Sequence, residues 1–123
     1  MANAVAWFMF ILGIVHIIFG LVRFKGPVWD AVSAGFVGKF AVPEVRRTAF
    51  WFLIFGPLLM LAGQVGIHAV AHGDLELLKV LGLYAFATAV VGVAAFPKSP
   101  FWAPLFVAPV LIAAGYGLLP VGW

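Results

Sequence analysis

Residues 4–22, AVAWFMFILGIVHIIFGLV, are nineteen consecutive residues without a charged side chain, and they decide the class of fold. A helix of about 20 apolar residues crosses the hydrocarbon core of a bilayer. The rest of the 123-residue chain has the same character, since 66% of its residues are hydrophobic, 9% are charged and its mean hydropathy is +1.20. A chain of this size cannot bury so many apolar side chains and still present a polar surface. The composition therefore predicts an integral membrane protein.

The charged residues give the chain a small positive balance. Seven Lys and Arg stand against four Asp and Glu, for a formal charge of +3, and the sequence contains no Cys. A basic balance is common among nucleic-acid-binding proteins. Here the basic residues flank apolar runs, where positive charge sets membrane orientation, so no nucleic-acid partner is expected. The absence of Cys excludes disulfides and every thiolate-based catalytic or metal site.

Four apolar runs predict an all-α fold, with four transmembrane helices in a compact bundle that forms one domain over residues 1–123. The first run lacks the basic start of a secretory signal, so we expect it to be retained as a span. Pro104 and Pro109 lie inside the last run and predict a bent fourth helix. The predicted spans are residues 4–22, 48–70, 77–96 and 101–119.

Lys and Arg are distributed unevenly between the two sides that four spans would create. The loops 23–47 and 97–100 hold six of the seven basic residues, and Lys79 alone lies on the other side. Because cytoplasmic loops carry the excess of Lys and Arg, we expect a plasma (inner) membrane protein with both loops cytoplasmic and both termini external. Two aromatic belts are expected at the boundaries, Trp51 and Trp102 inside, Trp7 and Trp123 outside.

The long loop after the first span contains an amphipathic pattern. Its apolar residues at helical spacing are Trp29, Val32, Phe36 and Phe40. The pattern predicts a short helix in the membrane interface, started by Pro27 and interrupted near Gly35 and Gly38. An irregular loop is the alternative.

His16 is the ionisable residue placed deepest within a predicted span. Gly13, Gly20 and Arg23 share its helix face, and a polar side chain among small residues marks a face turned towards other helices. If the first two spans pair antiparallel, His16 lies level with Gly56–Pro57, where proline frees a backbone carbonyl. A structural hydrogen bond, a ligand-binding or proton-relay role, and haem or metal ligation all remain open for this residue.

Three further residues complete the candidate ligand-binding set with His16. They are Arg23 at the end of the first span, Trp51 at the boundary of the second, and Gln64 within the second. Gln64, like Thr88 in the third span, is expected to form a helix–helix hydrogen bond worth about 1 kcal/mol. Since all four carboxylates lie in loops or at helix ends, we predict no catalytic residue and no cofactor.

His68 and His72 are candidate metal ligands, although the prediction is that no metal binds. Their i, i+4 spacing lets two imidazoles on one helix face reach one metal ion, and Asp74 and Glu76 follow closely. The competing interpretation places both histidines in the last turn of a helix that Gly73 ends, where a cation suits the helix dipole.

Three local patterns resemble an uncharacterised family of small bacterial four-span membrane proteins, described as a domain of unknown function. The patterns are Gly13-Ile-Val-His16 with Gly20, Ala49-Phe-Trp51-Phe52 with Gly56, and Phe96-Pro97-Lys98-Ser99 with Phe101-Trp102. The resemblance implies a four-helix integral membrane fold. It supplies no reaction, substrate or catalytic residue.

Three functional hypotheses follow from these residues. Small-residue faces, such as Gly82 to Gly92 in the third span, favour a non-enzymatic accessory or structural subunit that packs in a homo-oligomer or a larger membrane complex. The alternative is a binder or carrier of a small lipid-like or apolar molecule, held in a pocket near His16 and Arg23. A membrane enzyme that uses His16 is the third.

Overall fold

The computed structural model describes residues 1–122, and this part of the chain contains five α-helices and no strand. The predicted all-α class is confirmed. Trp123, which we expect in the outer aromatic belt, lies outside the described residues. In chain order the helices are α1 (Ala2–Arg23), α2 (Lys25–Ser33), α3 (Glu44–His72), α4 (Leu75–Ala95) and α5 (Trp102–Gly115).

Three helices are long and apolar enough to cross a membrane, namely α1, α3 and α4. They contain 22, 29 and 21 residues, so each reaches the roughly 30 Å of a hydrocarbon core at about 1.5 Å per residue. Among the described residues the buried hydrophobic side chains are mostly alanines, whereas many Ile, Val and Phe side chains are exposed. This distribution suits a chain whose outer surface contacts lipid.

The prediction of four full-length spans is not supported. The last helix, α5, has 14 residues, and at about 1.5 Å per residue it is shorter than the hydrocarbon core. It ends at Gly115 because the chain turns at Gly117, whose φ of 72° lies in the left-handed region that terminates helices. Pro109 lies inside α5, and Pro104 lies in its first turn, where no helical N–H donor is needed.

The short helix predicted after the first span exists but ends earlier than its apolar pattern. It is α2, and it includes Trp29. Gly35 and Phe36 follow it with φ values of 110° and 64°, which are incompatible with a continuing helix. Phe36 and Phe40 therefore lie in the turns after α2 and not on its apolar stripe.

The chain divides into two compact units, and the first contains Met1–Phe8 together with the chain from Ala62 onward. In this unit Asp74 caps α4, because its Oδ1 accepts a hydrogen bond from the Leu77 N–H at 2.9 Å. The Met1 ammonium donates a hydrogen bond to the Gly122 carbonyl oxygen. The residues just before α1 and well after α5 therefore lie side by side.

In the same unit α4 packs against α5 through glycines. A Cβ atom placed on Gly82 would lie 2.8 Å from both Cγ1 and the backbone nitrogen of Ile112. A Cβ atom on Gly92 would overlap the ring of Phe101. The small-residue face predicted for the third span is thus the face on which α5 packs, and it needs glycine to do so.

The second unit, Met9–Leu61, joins α1 and α3 by equally close contacts. A Cβ atom on Gly13 would lie 2.7 Å from the Gly56 carbonyl oxygen, and one on Gly20 would lie 2.6 Å from Leu53 Cδ2. These two glycines bring the helices together on both sides of His16. The imidazole is therefore held against α3.

Candidate functional site

His16 is half-buried in α1 and binds α3 through one hydrogen bond. Its Nε2 atom lies 2.8 Å from the carbonyl oxygen of Phe52. Because a carbonyl oxygen only accepts, Nε2–H is the donor. The imidazole also stacks on the Phe52 ring, with centroids 4.1 Å apart and planes inclined by 16°. His16 thus joins the two helices by a polar and an aromatic contact.

The carbonyl that accepts this bond lies one residue before the one that the sequence indicates. Pro57 lacks the N–H that would bond the carbonyl of Leu53, four positions earlier, so the sequence pattern points to Leu53. The stacked ring of Phe52 instead holds Nε2 over the carbonyl of Phe52 itself. The pairing of His16 with the middle of α3 is confirmed, and the identity of its acceptor is corrected.

Phe52 is a site residue that the polar and small-residue patterns of the sequence do not indicate. Its ring lies 5.4 Å from the ring of Phe24 and 5.9 Å from that of Phe19. The Arg23 guanidinium carbon lies 5.4 Å from the Phe24 centroid. Ring contacts therefore run from His16 through Phe52 and Phe24 to Arg23. The available signal was the aromatic run at 50–52, one helical turn before a glycine.

The other two candidate ligand residues do not join this site. Trp51 is 64% exposed, and its ring meets that of Phe50 at 5.5 Å. Gln64 is exposed on α3, in the first unit. Neither Gln64 nor Thr88 forms a hydrogen bond with any described residue, because both side chains face outward. The helix–helix bonds predicted for them are not made within residues 1–122.

The histidine pair at the end of α3 is brought together, but without further ligands. The rings of His68 and His72 lie 4.0 Å apart, and the His72 Nδ1–H donates to the His68 carbonyl oxygen at 2.9 Å. Asp74 is the cap of α4, and Glu76 pairs with Lys79 Nζ at 2.5 Å. No group of three or more potential metal ligands occurs among the described residues.

Among the grooves on the surface of residues 1–122, two open ones lie one in each unit, and neither of them is lined by His16 or Arg23. The first has a volume of about 370 Å³ and is lined by Phe36, Val37, Gly38, Phe40, Ala41 and Phe50. The second, of about 500 Å³, is lined by Ala87, Thr88, Val91, Gly92, Ala95, Phe96 and Phe101. Neither groove is the pocket predicted near His16 and Arg23.

Comparisons with known proteins identify a family but no function. No curated protein and no solved structure matches the chain. One family model, described as a family of unknown function, matches residues 1–117, which is nearly the whole chain and includes His16, Phe52 and both histidines at the end of α3. The resemblance seen in the sequence is thereby confirmed at the level of an uncharacterised domain. The chain belongs to the family of unknown function DUF6463.

Proposed function

We propose that this protein is a small, non-enzymatic membrane subunit that packs through one face of α4 against another membrane helix, in a homo-oligomer or a larger complex. The observation that carries the proposal is that the hydroxyl groups of Tyr84 and Thr88 are exposed and unpartnered within residues 1–122. Both lie on a helix that is apolar enough to cross a membrane, both are exposed, and neither hydroxyl has a partner among the described residues.

A lipid-facing position suits these hydroxyl groups poorly. The hydrocarbon core offers no hydrogen-bond partner, so an exposed hydroxyl there is stabilised by a second helix. An interhelical hydrogen bond of this kind is worth about 1 kcal/mol in a membrane. Tyr84 is 75% exposed and lies about 14 Å along the axis from the start of α4 at Leu75, which puts it well inside the apolar length of the helix.

The neighbours of these two residues form a surface suited to helix packing. Val91 and Ala95 follow Thr88 at helical spacing, so one face carries Tyr84, Thr88, Val91 and Ala95. The groove of about 500 Å³ lies along this face. Small side chains beside a hydroxyl allow close backbone approach, which is the main source of helix association in lipid.

The orientation that we propose is a plasma (inner) membrane protein with cytoplasmic loops at 23–47 and 97–100 and external termini. Its support is the Lys and Arg distribution, and it requires that α5 and its flanking residues make a fourth crossing. Phe101 meets α4 at Gly92, near the end of that helix, and Gly115 meets it at Lys79, near the start. The hydrogen bond between Met1 and Gly122 accords with termini on one side.

A single introduced thiol tests the proposed interface, because the chain has no native Cys. Thr88→Cys is labelled in membranes with benzophenone maleimide and irradiated. We expect a protein adduct, either at twice the mass of the chain or at the combined mass with a different membrane protein.

Val90→Cys is the matched control for this experiment. Val90 is exposed at nearly the same depth and lies about 200° around the helix from Thr88. It should give little or no protein adduct. Equal yields of the protein adduct from the two positions, or no adduct from Thr88→Cys, would contradict the proposal.

A further inference from the structure

The groove in the second unit is an apolar cleft built from three phenylalanines. The rings of Phe36 and Phe40 lie 5.3 Å apart, and those of Phe40 and Phe50 lie 5.6 Å apart. Val37 and Ala41 complete the wall with further apolar side chains. Phe36 has a φ of 64°, a conformation that is rare for a bulky residue, and more than half of its surface is exposed. The cleft is therefore an open apolar surface.

Two arginine side chains are bound to the backbone that forms this wall. Arg47 Nη2 donates to the Ala41 carbonyl oxygen at 3.0 Å, and Arg46 Nη1 donates to the Lys39 carbonyl oxygen at 3.3 Å. A guanidinium group has five N–H donors, so each arginine keeps at least two for a ligand. Neither forms an ion pair with a carboxylate of the described residues. Two unneutralised positive charges thus lie beside an apolar cleft.

The cleft and the charges follow one another along α3. Phe50 lies three and four residues after Arg47 and Arg46, on the same side of the helix and about one turn, or 5 Å, further along it. Because α3 begins at Glu44, a membrane crossing by this helix would place Phe50 nearer the hydrocarbon than the two arginines. The order of charge and apolar surface is that of a phospholipid, with the headgroup outside and the acyl chain inside.

We infer that this cleft binds one anionic phospholipid, with an acyl chain against Phe40 and Phe50 and the phosphate on the guanidinium groups of Arg46 and Arg47. Charge complementarity selects this ligand class. Residues 23–47 contain five Lys and Arg and two Asp and Glu, a balance of 5 − 2 = +3. Basic segments next to a membrane helix attract anionic headgroups, and paired N–H donors of Arg suit phosphate oxygens. The inference is independent of the α4 interface, which lies in the other unit.

The test uses the full-length protein in dodecyl maltoside and follows its thermal unfolding as lipid is added. Phosphatidylglycerol should raise the midpoint, and phosphatidylcholine with the same acyl chains should raise it far less. Glycerol phosphate, which has the headgroup charge without acyl chains, should have no effect. Native mass spectrometry should show one retained phosphatidylglycerol for each chain.

Two variants separate this site from a general effect of positive charge. Arg46→Gln with Arg47→Gln should weaken the apparent affinity for phosphatidylglycerol at least tenfold. The matched control, Lys25→Gln with Lys98→Gln, removes the same charge from residues whose side chains neither line the cleft nor donate a hydrogen bond to its wall, and it should leave the affinity within about twofold. Equal losses in the two double variants would overturn the inference in favour of diffuse attraction.

Ala41→Leu tests the cleft without touching either arginine side chain. Ala41 is exposed in the wall, so a larger side chain fills the groove while the carbonyl that accepts from Arg47 remains. The bound phosphatidylglycerol should be lost, with the midpoint in lipid-free detergent unchanged. Retention of the lipid by Ala41→Leu, or equal stabilisation of the wild type by the two phospholipids, would overturn the inference.

Discussion

At the scale of single residues, the contact between His16 and Phe52 shows how two helices are joined in an apolar solvent. Lipid tails are as apolar as leucine, so burial of hydrocarbon gives helices little reason to prefer each other to lipid. A hydrogen bond from Nε2–H to a backbone carbonyl does give that preference, and the stacked ring of Phe52 fixes its direction. Gly13 and Gly20 make the contact possible, because a Cβ atom at either position would lie less than 3.0 Å from atoms of α3.

The contribution of the His16 N–H donor to stability can be measured separately from that of its stacked ring. His16→Gln keeps an N–H donor, so we expect nearly unchanged thermal stability in detergent. His16→Phe keeps an aromatic ring that can stack on Phe52 but has no donor, and it should lower the free energy of unfolding by about 1 kcal/mol. A stable Phe variant beside an unstable Gln variant would show that stacking, and not the hydrogen bond, holds the helices together.

Part of this site can be read from the sequence, and the physical reason is solvation. An imidazole placed among glycines in an apolar run must face protein, which identifies His16 and its helix face. The acceptor cannot be read in the same way, because every residue of α3 offers a carbonyl. The choice between Leu53 and Phe52 depends on where an aromatic ring packs, and that is decided only in three dimensions.

At the scale of elements, the contact between α4 and α5 depends on close backbone approach. The backbone nitrogen of Ile112 comes so near to Gly82 that a methyl group there would lie 2.8 Å from it. Backbone atoms cannot rotate away as a flexible side chain can. The separation of the two helices is therefore set by glycine.

Gly82→Ala should force α4 and α5 apart and destabilise the protein by about 1–3 kcal/mol, as overpacking does in other tightly packed interiors. The measurement is the midpoint of thermal unfolding in detergent. Gly26→Ala is the matched control, since Gly26 is also helical but has no atom within 4 Å of its Cβ position. It should be neutral or slightly stabilising, because Ala favours helix more than Gly. Similar losses in both variants would mean that the contact at Ile112 is not decisive.

The elements also show where a sequence pattern stops being informative. Apolar runs predict α1, α3 and α4 within a few residues, since the length of a span is imposed by the membrane. The same run length predicts a span to Leu119, but α5 ends at Gly115 because a left-handed glycine follows at Gly117. The apolar pattern after α2 is broken by positive φ values at Gly35 and Phe36, and there the glycines of the sequence, not its hydropathy, predict the interruption. Hydropathy describes side chains and does not predict such backbone conformations.

At the scale of the whole molecule, the distribution of basic residues gives a testable orientation. His72→Cys at the turn between α3 and α4 and Gly122→Cys should react with a membrane-impermeant maleimide in intact cells, while Ser33→Cys should not. All three positions are exposed, so accessibility to the reagent depends on the side of the membrane. Permeabilised cells should label all three variants equally. Labelling of Ser33→Cys alone in intact cells would reverse the orientation.

The alanine-rich interior has a consequence for which positions tolerate change. In a water-soluble protein the large apolar residues are the constrained ones, because they fill the core. Here Ala69 and Ala89 are fully buried, whereas Phe106 is 72% exposed on the outer surface. A fluid hydrocarbon solvent accepts any large apolar side chain, so Phe106 can be exchanged for Leu or Ile. At Ala89, in contrast, the packed interior leaves no space for a larger side chain. Neutral substitutions in this chain should therefore accumulate on its apolar outer surface and be rare at its buried alanines.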